Sequence, residues 1–263
     1  MQLKTVILCG GYGTRIREVS ENLPKPMIPV GDRPILWHIM KYYAHFGHTH
    51  FVLCLGYKSE VIKNYFLQYG TVPADVRLTL GQDPPALHRQ KTDEDGWDIA
   101  LAETGLNAMT GARVKRIQSY IGTDEHFMLT YGDGVGDVDL DALLAFHLEH
   151  GRIATVTGVH PPGRFGELDY DATSKQVSGF NEKPQVSGGR INGGFFIFKR
   201  AFFDFLNDRE DLVLEQEPIR ALVEAGELRV FEHDGFWQPM DTSREYGLLN
   251  DMYHKNQAPW KKW

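Results

Sequence analysis

The sequence predicts an α/β fold, a doubly wound mixed sheet with a smaller strand-rich part in its second half. Three observations carry that prediction. Val6-Ile7-Leu8-Cys9 is a continuous apolar run, as a strand buried on both faces of a parallel sheet requires. Apolar runs of that kind then alternate with amphipathic helical stretches, an order that builds right-handed crossovers. From residue 151 onward the strands shorten and turns join them directly. The expected organisation is a core over residues 1–150, interrupted by an excursion over 81–107, and a second part over 151–263 packed as one continuous domain with the first.

In chain order, the first strand stops at Gly10-Gly11-Tyr12-Gly13-Thr14-Arg15. Three glycines in four residues permit positive φ and close backbone approach, so successive N–H groups form a nest suited to phosphate. Arg15 adds a planar fork for phosphate oxygens. Lys25, between Pro24 and Pro26, is a second cation close behind. A helix is expected from Asp32 and Pro34, with Ile35, Ile39, Tyr42 and Phe46 on one face. Phe51 to Leu55 is the next buried strand, and Val61, Ile62, Tyr65, Phe66 and Tyr69 mark a second helix. Val76 to Leu80 alternates like a third strand. Gly81 to Asn107 is polar and long for a compact domain, with a short strand candidate at Ile99-Ala100-Leu101. A helix through Val114, Ile117 and Ile121 follows, then a strand over Phe127 to Thr130.

Tyr131-Gly132-Asp133-Gly134-Val135 comes directly after that strand. An aspartate between glycines is a turn former or a metal ligand; its place at the same sheet end as the phosphate nest favours the ligand, since Mg²⁺ on a triphosphate needs only one or two carboxylates. Leu140 to Leu148 reads as a helix and Ala154 to Val159 as a strand. Shorter strands follow around Phe165 to Tyr170, Val177 to Phe180 and Gly193 to Phe198. Glu182-Lys183-Pro184 again sets a lysine beside a proline, and Asn192-Gly193-Gly194 joins a side-chain amide to close backbone approach, which suits sugar hydroxyls. Pro218 to Ala225 is a helix and Leu228 to Glu232 a strand. Asp241-Thr242 opens the last helix, so either is an N-cap or Asp241 is a second metal carboxylate.

Composition removes several function classes. A formal net charge of −7 over 263 residues opposes a nucleic-acid or anionic-membrane binder. Cys9 and Cys54 each sit in an expected buried strand and read as reduced core thiols. His45, His48 and His50 read as a solvated helix end. No leader or apolar run long enough for a bilayer is visible, which points to the cytoplasm. A dinucleotide-binding dehydrogenase would need a third glycine where Ile16 stands and an acid after the second strand, where Gly56-Tyr57-Lys58 stands. The G-x-x-x-x-G-K-[ST] loop is absent.

The glycine loop followed by L-P-K-P-M resembles the sugar-1-phosphate nucleotidyltransferases. Further motifs resemble their cytidylyl-transferring branch: ILWHIMK (Ile35 to Lys41), MTGAR (Met109 to Arg113), YGDGV, PPGRFGELD (Pro161 to Asp169), EKP, INGGFF (Ile191 to Phe196), EQEP (Glu215 to Pro218) and GFWQPMDT (Gly235 to Thr242). The likeness spans nearly the whole chain. It implies a Rossmann-like sheet with a sugar-binding second part, CTP and glucose 1-phosphate as substrates, Mg²⁺ as cofactor, and a homo-oligomer, trimer or hexamer. By resemblance, Leu8, Gly10, Gly11, Gly13, Thr14, Arg15, Lys25, Gly111, Arg113 and Asp133 would hold the nucleotide, with Gly111 and Arg113 toward the base. Glu182, Lys183, Asn192 and Gly193 would hold the sugar phosphate, and Asp133 and Asp241 the metal. Lys25, Arg15, Asp133 and Lys183 would carry catalysis. Two alternatives stay open: the same reaction with UTP or dTTP, and a catalytically silent nucleotide-sugar-binding regulatory protein.

Overall fold

The computed structural model describes residues 1–13, 16, 22–69, 75–77, 86–88, 91–161, 167–170, 173–181 and 189–263, with 75–77, 86–88, 167–170 and 177–181 by backbone alone. Its first half begins with β1 (Lys4–Leu8). A turn then leads into the small hairpin β2 (Pro29–Val30) and β3 (Arg33–Pro34), followed by α1 (Ile35–His45), β4 (His50–Leu55) and α2 (Ser59–Leu67). The hairpin β5 (Asp75–Arg77) and β6 (Ala86–His88) precedes β7 (Asp98–Glu103). Next come α3 (Thr110–Arg116), α4 (Gln118–Ile121), β8 (His126–Tyr131), β9 (Gly134–Gly136) and α5 (Leu140–His150). The second half holds β10 (Ala154–Val159), the hairpin β11 (Glu167–Tyr170) and β12 (Val177–Asn181), then β13 (Ile191–Asn192) and β14 (Phe196–Lys199). It ends with α6 (Glu217–Glu224), β15 (Leu228–His233), β16 (Trp237–Pro239) and α7 (Ser243–His254).

One sheet organises the chain, in the order β15–β10–β14–β8–β1–β4–β7. Strands β8, β1, β4 and β7 are parallel, and β15 is parallel to β10. Only the position shared by β13 and β14 runs the other way, antiparallel to β10, with β14 also antiparallel to β8. Residue alternation explains why β1 and β4 read as unbroken apolar runs. Ile7, Leu53 and Leu55 join a core with α1, α5 and Leu249 of α7, whereas Val6, Leu8, Val52 and Cys54 join a second core with α3, Phe202, Phe203 and α6. Each strand is covered by helices on both faces, which is the doubly wound arrangement the sequence predicts.

Three expectations change. Val76 to Leu80 does not supply the third sheet strand: the part described, β5, pairs only with β6. The sheet's third parallel strand on that side is β7, inside the stretch expected to be an excursion. The same stretch is tied down at Lys41, whose ammonium donates 2.7 Å to Glu94. His48 is not solvated; it is buried, and its Nδ1 accepts the Leu3 N–H at 3.1 Å. Pro34 stands just before α1 rather than within its first turn. Both cysteines are buried and free, as expected. Among the described residues no helix is long and apolar enough to cross a membrane.

Candidate active site

The C-terminal ends of β1 and β8 open into a cavity of about 430 Å³. Its wall includes Leu8, Gly10, Gly11 and Gly13, its floor Lys25, Asp133 and Asp241, and one side the segment Leu106–Thr110. Gly13 has φ +60°, and a Cβ there would lie 3.0 Å from the Cβ of Lys25. The loop can therefore lie against the lysine stem only with glycine at this position. Tyr12 packs beside Tyr57 and donates 2.7 Å to Asn107 Oδ1, tying the loop to the opposite rim.

Two carboxylates far apart in sequence meet through a short antiparallel ladder. β9 follows Asp133 and β16 precedes Asp241; Gly134 pairs with Pro239, and the Met240 N–H donates 2.8 Å to the Asp133 carbonyl. Helix α7 fixes the second carboxylate from the other side. Thr242 is its N-cap in a capping box with Glu245, and Glu245 Oε2 also accepts the Asp241 N–H at 2.7 Å. Thr242 takes the capping role, so the Asp241 side chain is turned to the cavity.

Lys25 lies between the two. Its Nζ is 2.5 Å from Asp133 Oδ2 and 2.5 Å from Asp241 Oδ1. A short turn over Lys25–Met27, with Pro26 inside it, projects the side chain there. Burial pulls the lysine pKa down, but Asp133 and then Asp241 more than offset it, so the ammonium is held above its ordinary value. Among the described residues, two carboxylates converge on one ammonium, in a space that already accepts a cation.

Arg113 lines the cavity, but the guanidinium is turned into the fold. Nη1 donates to Leu55 O (2.9 Å), Thr104 Oγ1 (2.9 Å) and Gly105 O (2.8 Å); Nη2 donates to Gly10 O (2.9 Å) and Leu106 O (3.3 Å). Burial pulls its pKa down. A Cβ at Gly10 would sit 2.1 Å from this Nη1, so the first loop glycine makes room for the arginine as well as for a ligand. Against the expectation that Arg113 faces a base, both Nη groups donate to the carbonyls of Leu55, Gly105, Gly10 and Leu106 and to Thr104, while the residue still lines the cavity. Gly111, by contrast, is not among the residues that line the cavity. Its Cα faces Leu212 and Leu214, where a Cβ would lie 2.9 Å from Leu212 Cγ.

Of the residues expected to meet the sugar, Gly193 uses its backbone in the fold, its N–H donating 2.9 Å to Thr157 O and its carbonyl accepting 2.7 Å from Trp237 Nε1. Asn192 is exposed and lines a second cavity of about 250 Å³ with Glu215. Thr14, Arg15, Glu182 and Lys183 lie outside the described residues. Three side chains at the site were not singled out individually by the sequence reading: Thr110, Tyr131 and Glu215. The EQEP motif was the available signal for Glu215, and YGDGV for Tyr131.

Comparison with known proteins now adds to this geometry. The nucleotidyl transferase family matches residues 4–246. The glucose-1-phosphate cytidylyltransferase of Salmonella typhi is 46% identical over 99% of this chain and 100% of its own length. The probable glucose-1-phosphate cytidylyltransferase of Bacillus subtilis is 41% identical over the same shares. Among solved structures, UTP-bound UGPase from Acinetobacter baumannii superposes with a TM-score of 0.69 at 16% identity, covering 96% of this chain and 93% of that one. HddC from Yersinia pseudotuberculosis gives 0.68 at 20% identity, covering 96% and 100%. These two likenesses speak to the fold alone. With the match over most of its length and relatives above 40% identity end to end, the chain belongs to the nucleotidyl transferase family.

Proposed function

We propose that the protein transfers a cytidylyl group from CTP to α-D-glucose 1-phosphate, giving CDP-glucose and pyrophosphate. The observation that carries the reaction class is Lys25 held between Asp133 and Asp241 at the floor of a glycine-walled cavity. The choice of CTP and glucose leans on the Salmonella and Bacillus relatives.

The chemistry needs no general base. An oxygen of the sugar phosphate, already an oxyanion, attacks the α-phosphorus of CTP in line. The bond to the bridging oxygen breaks, and its electron pair leaves with pyrophosphate. What the protein must do is place two mutually repelling anions together and screen the charge between them. The backbone N–H groups from Gly10 to Gly13 would cradle the triphosphate, with Thr14 and Arg15 continuing the nest. Lys25 would neutralise the α-phosphate, and Lys183 with Glu182 and Asn192 would seat the sugar phosphate. Asp133 and Asp241 would hold a divalent cation, since both carboxylates converge on the Lys25 ammonium and so face a place that accepts positive charge. Mg²⁺ bound to them would supply charge neutralisation at the phosphates. Arg113 would hold the cavity walls in register rather than read the base.

A homo-oligomer, trimer or hexamer, belongs to the same reading. Val230 and Ile191 on the β15 and β13 side, and Val223 on α6, are exposed apolar residues of the kind a subunit contact covers. Light scattering tests it.

The function is tested by pyrophosphate release with Mg²⁺ and glucose 1-phosphate, comparing CTP, UTP, dTTP, ATP and GTP. CTP should be turned over well above the other four. Preference for UTP or dTTP would keep the site and overturn the base assignment; no release with any sugar phosphate would favour the silent regulatory protein.

A further inference from the structure

Glu215 precedes α6 and takes no part in the scheme above, yet it joins the two cavities. Thr110 Oγ1 donates 2.8 Å to its Oε2, and Tyr131 Oη donates 2.5 Å to its Oε1. Thr110 and Tyr131 line the glycine-walled cavity, whereas Glu215 and Asn192 line the smaller one. The row continues on the far side: Asn192 Nδ2 donates 3.1 Å to Tyr131 Oη, and the Gly194 N–H donates 2.9 Å to Asn192 Oδ1.

Donor chemistry fixes the direction of each bond. An ionised carboxylate only accepts, so both hydroxyls must point their protons at Glu215. With its proton spent there, Tyr131 Oη offers a lone pair to Asn192, whose amino end must therefore face it. The Gly194 N–H can only donate, which sets the Asn192 oxygen on the other side. Gly194 reaches that oxygen with φ +76°, and a Cβ there would lie 3.1 Å from the Tyr131 ring, so the turn and the ring position depend on each other. Thr110 is anchored independently, its Oγ1 also accepting the Leu214 N–H at 2.9 Å. Tyr131 is anchored at its hydroxyl by Glu215, and the Asn192 amide is turned by Tyr131.

We propose that Glu215 is a positioning residue for the sugar phosphate: acting through Tyr131, it fixes the Asn192 amide so that its second N–H is presented to a sugar hydroxyl. This rests on the reading that Asn192 touches the sugar. What Glu215 supplies is an acceptor rather than a charge, and the carboxamide of glutamine supplies one too. Its oxygen can take the Tyr131 proton while its NH₂ faces the Thr110 hydroxyl, which can accept.

The test compares steady-state kinetics of E215A, E215Q, Y131F, N192A and the E215A/N192A pair, with thermal melts of each. Y131F keeps the ring against Phe196 and removes only the hydroxyl. Loss of one oriented hydrogen bond predicts a KM for glucose 1-phosphate about tenfold higher in E215A and in Y131F. KM for CTP should stay within about twofold, and E215Q should be close to wild type. In the N192A background, E215A should add less than about twofold, because the two act as one unit. Wild-type kinetics in E215A with an impaired N192A would overturn the proposal and leave the sugar site standing. Equal rises in both KM values, or E215Q as poor as E215A, would also overturn it. A harmless N192A would overturn the sugar placement itself and this proposal with it.

Discussion

At the first residue of β8, His126 Nδ1 lies 3.1 Å from His147 Nε2; beyond the last, Tyr131, the chain passes through Gly132 to Asp133 and its contact with Lys25. Both ends are polar and both are built into the protein, but they are finished differently. The histidine end closes on itself. Arg152 N–H donates 2.9 Å to His150 Nδ1, which puts the His150 proton on Nε2, 2.7 Å from Thr155 Oγ1. Thr155 can then donate 2.7 Å to His147 Nδ1, and His147 Nε2–H to His126. One direction of donation links all three rings in the neutral form and leaves the His126 Nε2–H facing Glu125 Oε1 at 3.6 Å. The other end gathers a cation and two carboxylates at the floor of an open cavity. A polar cluster packed inside the fold contributes to stability; one that faces a cavity can also meet something that arrives.

The largest expected effect comes from breaking the second kind. Asp133→Ala should lower turnover roughly 10²–10³-fold, the usual consequence of losing one preorganised electrostatic contact. The fold should survive, because the ladder bond at residue 133 uses the main-chain carbonyl, not the carboxylate. Turnover assays beside thermal melts check both halves; a folded Asp133→Ala protein with near-native activity would remove this carboxylate from the mechanism.

The histidine end should answer to pH instead. Burial above all, with His126 and His150 beside it, holds the His147 pKa at about 3, and burial also lowers those of His126 and His150. In the unfolded chain a histidine titrates near ~6.5. The unfolded state thus binds more protons between those values, so the stability is whole above about pH 6.5 and is lost as pH falls toward 3. At about 1.4 kcal/mol per pKa unit this reaches a few kcal/mol. Melting temperature should hold from pH 7.5 to about 6.5 and fall from there to 4.5, and His147→Gln should flatten that fall. An unchanged slope would mean the cluster is not what protons attack; His38, held at about 4 by burial, is then the group to replace.

This difference also explains what could be read from sequence. Lys25 and Asp133 could be singled out because prolines bracket the first and glycines bracket the second just beyond β8, a pattern that survives without coordinates, and the fold brings the two together. Arg113 stood out within the MTGAR motif, but the motif carries no sign of its contacts. A guanidinium's fork suits carbonyls as well as ligands, and only the fold places Leu55 O and Gly10 O beside it. β7 was nearly missed because an edge strand is covered less than a central one, and Asp98–Glu103 is only partly buried. Val76 to Leu80 had the better alternation, but sheet pairing is settled by tertiary contact rather than pattern. His48 was misread for the same reason, since its partner is Leu3, forty-five residues away.

The smallest expected effect sits where the two kinds of polar group touch. Thr242 caps α7 one residue after Asp241, so it is structural by role and stands beside the proposed metal carboxylate. Thr242→Ala removes the hydroxyl that accepts the Glu245 N–H at 3.3 Å and should cost about 1 kcal/mol of stability, which urea denaturation would check. Turnover should fall only a few-fold, on the order of one weak hydrogen bond. Asp241 keeps two other restraints: its N–H still reaches Glu245 Oε2, and Met240 still reaches the Asp133 carbonyl. If Thr242→Ala instead lost activity on the scale of Asp133→Ala while keeping its stability, the cap would have to be counted with the cavity. The division between a closed structural cluster and an open functional one would then fail at the residue best placed to test it.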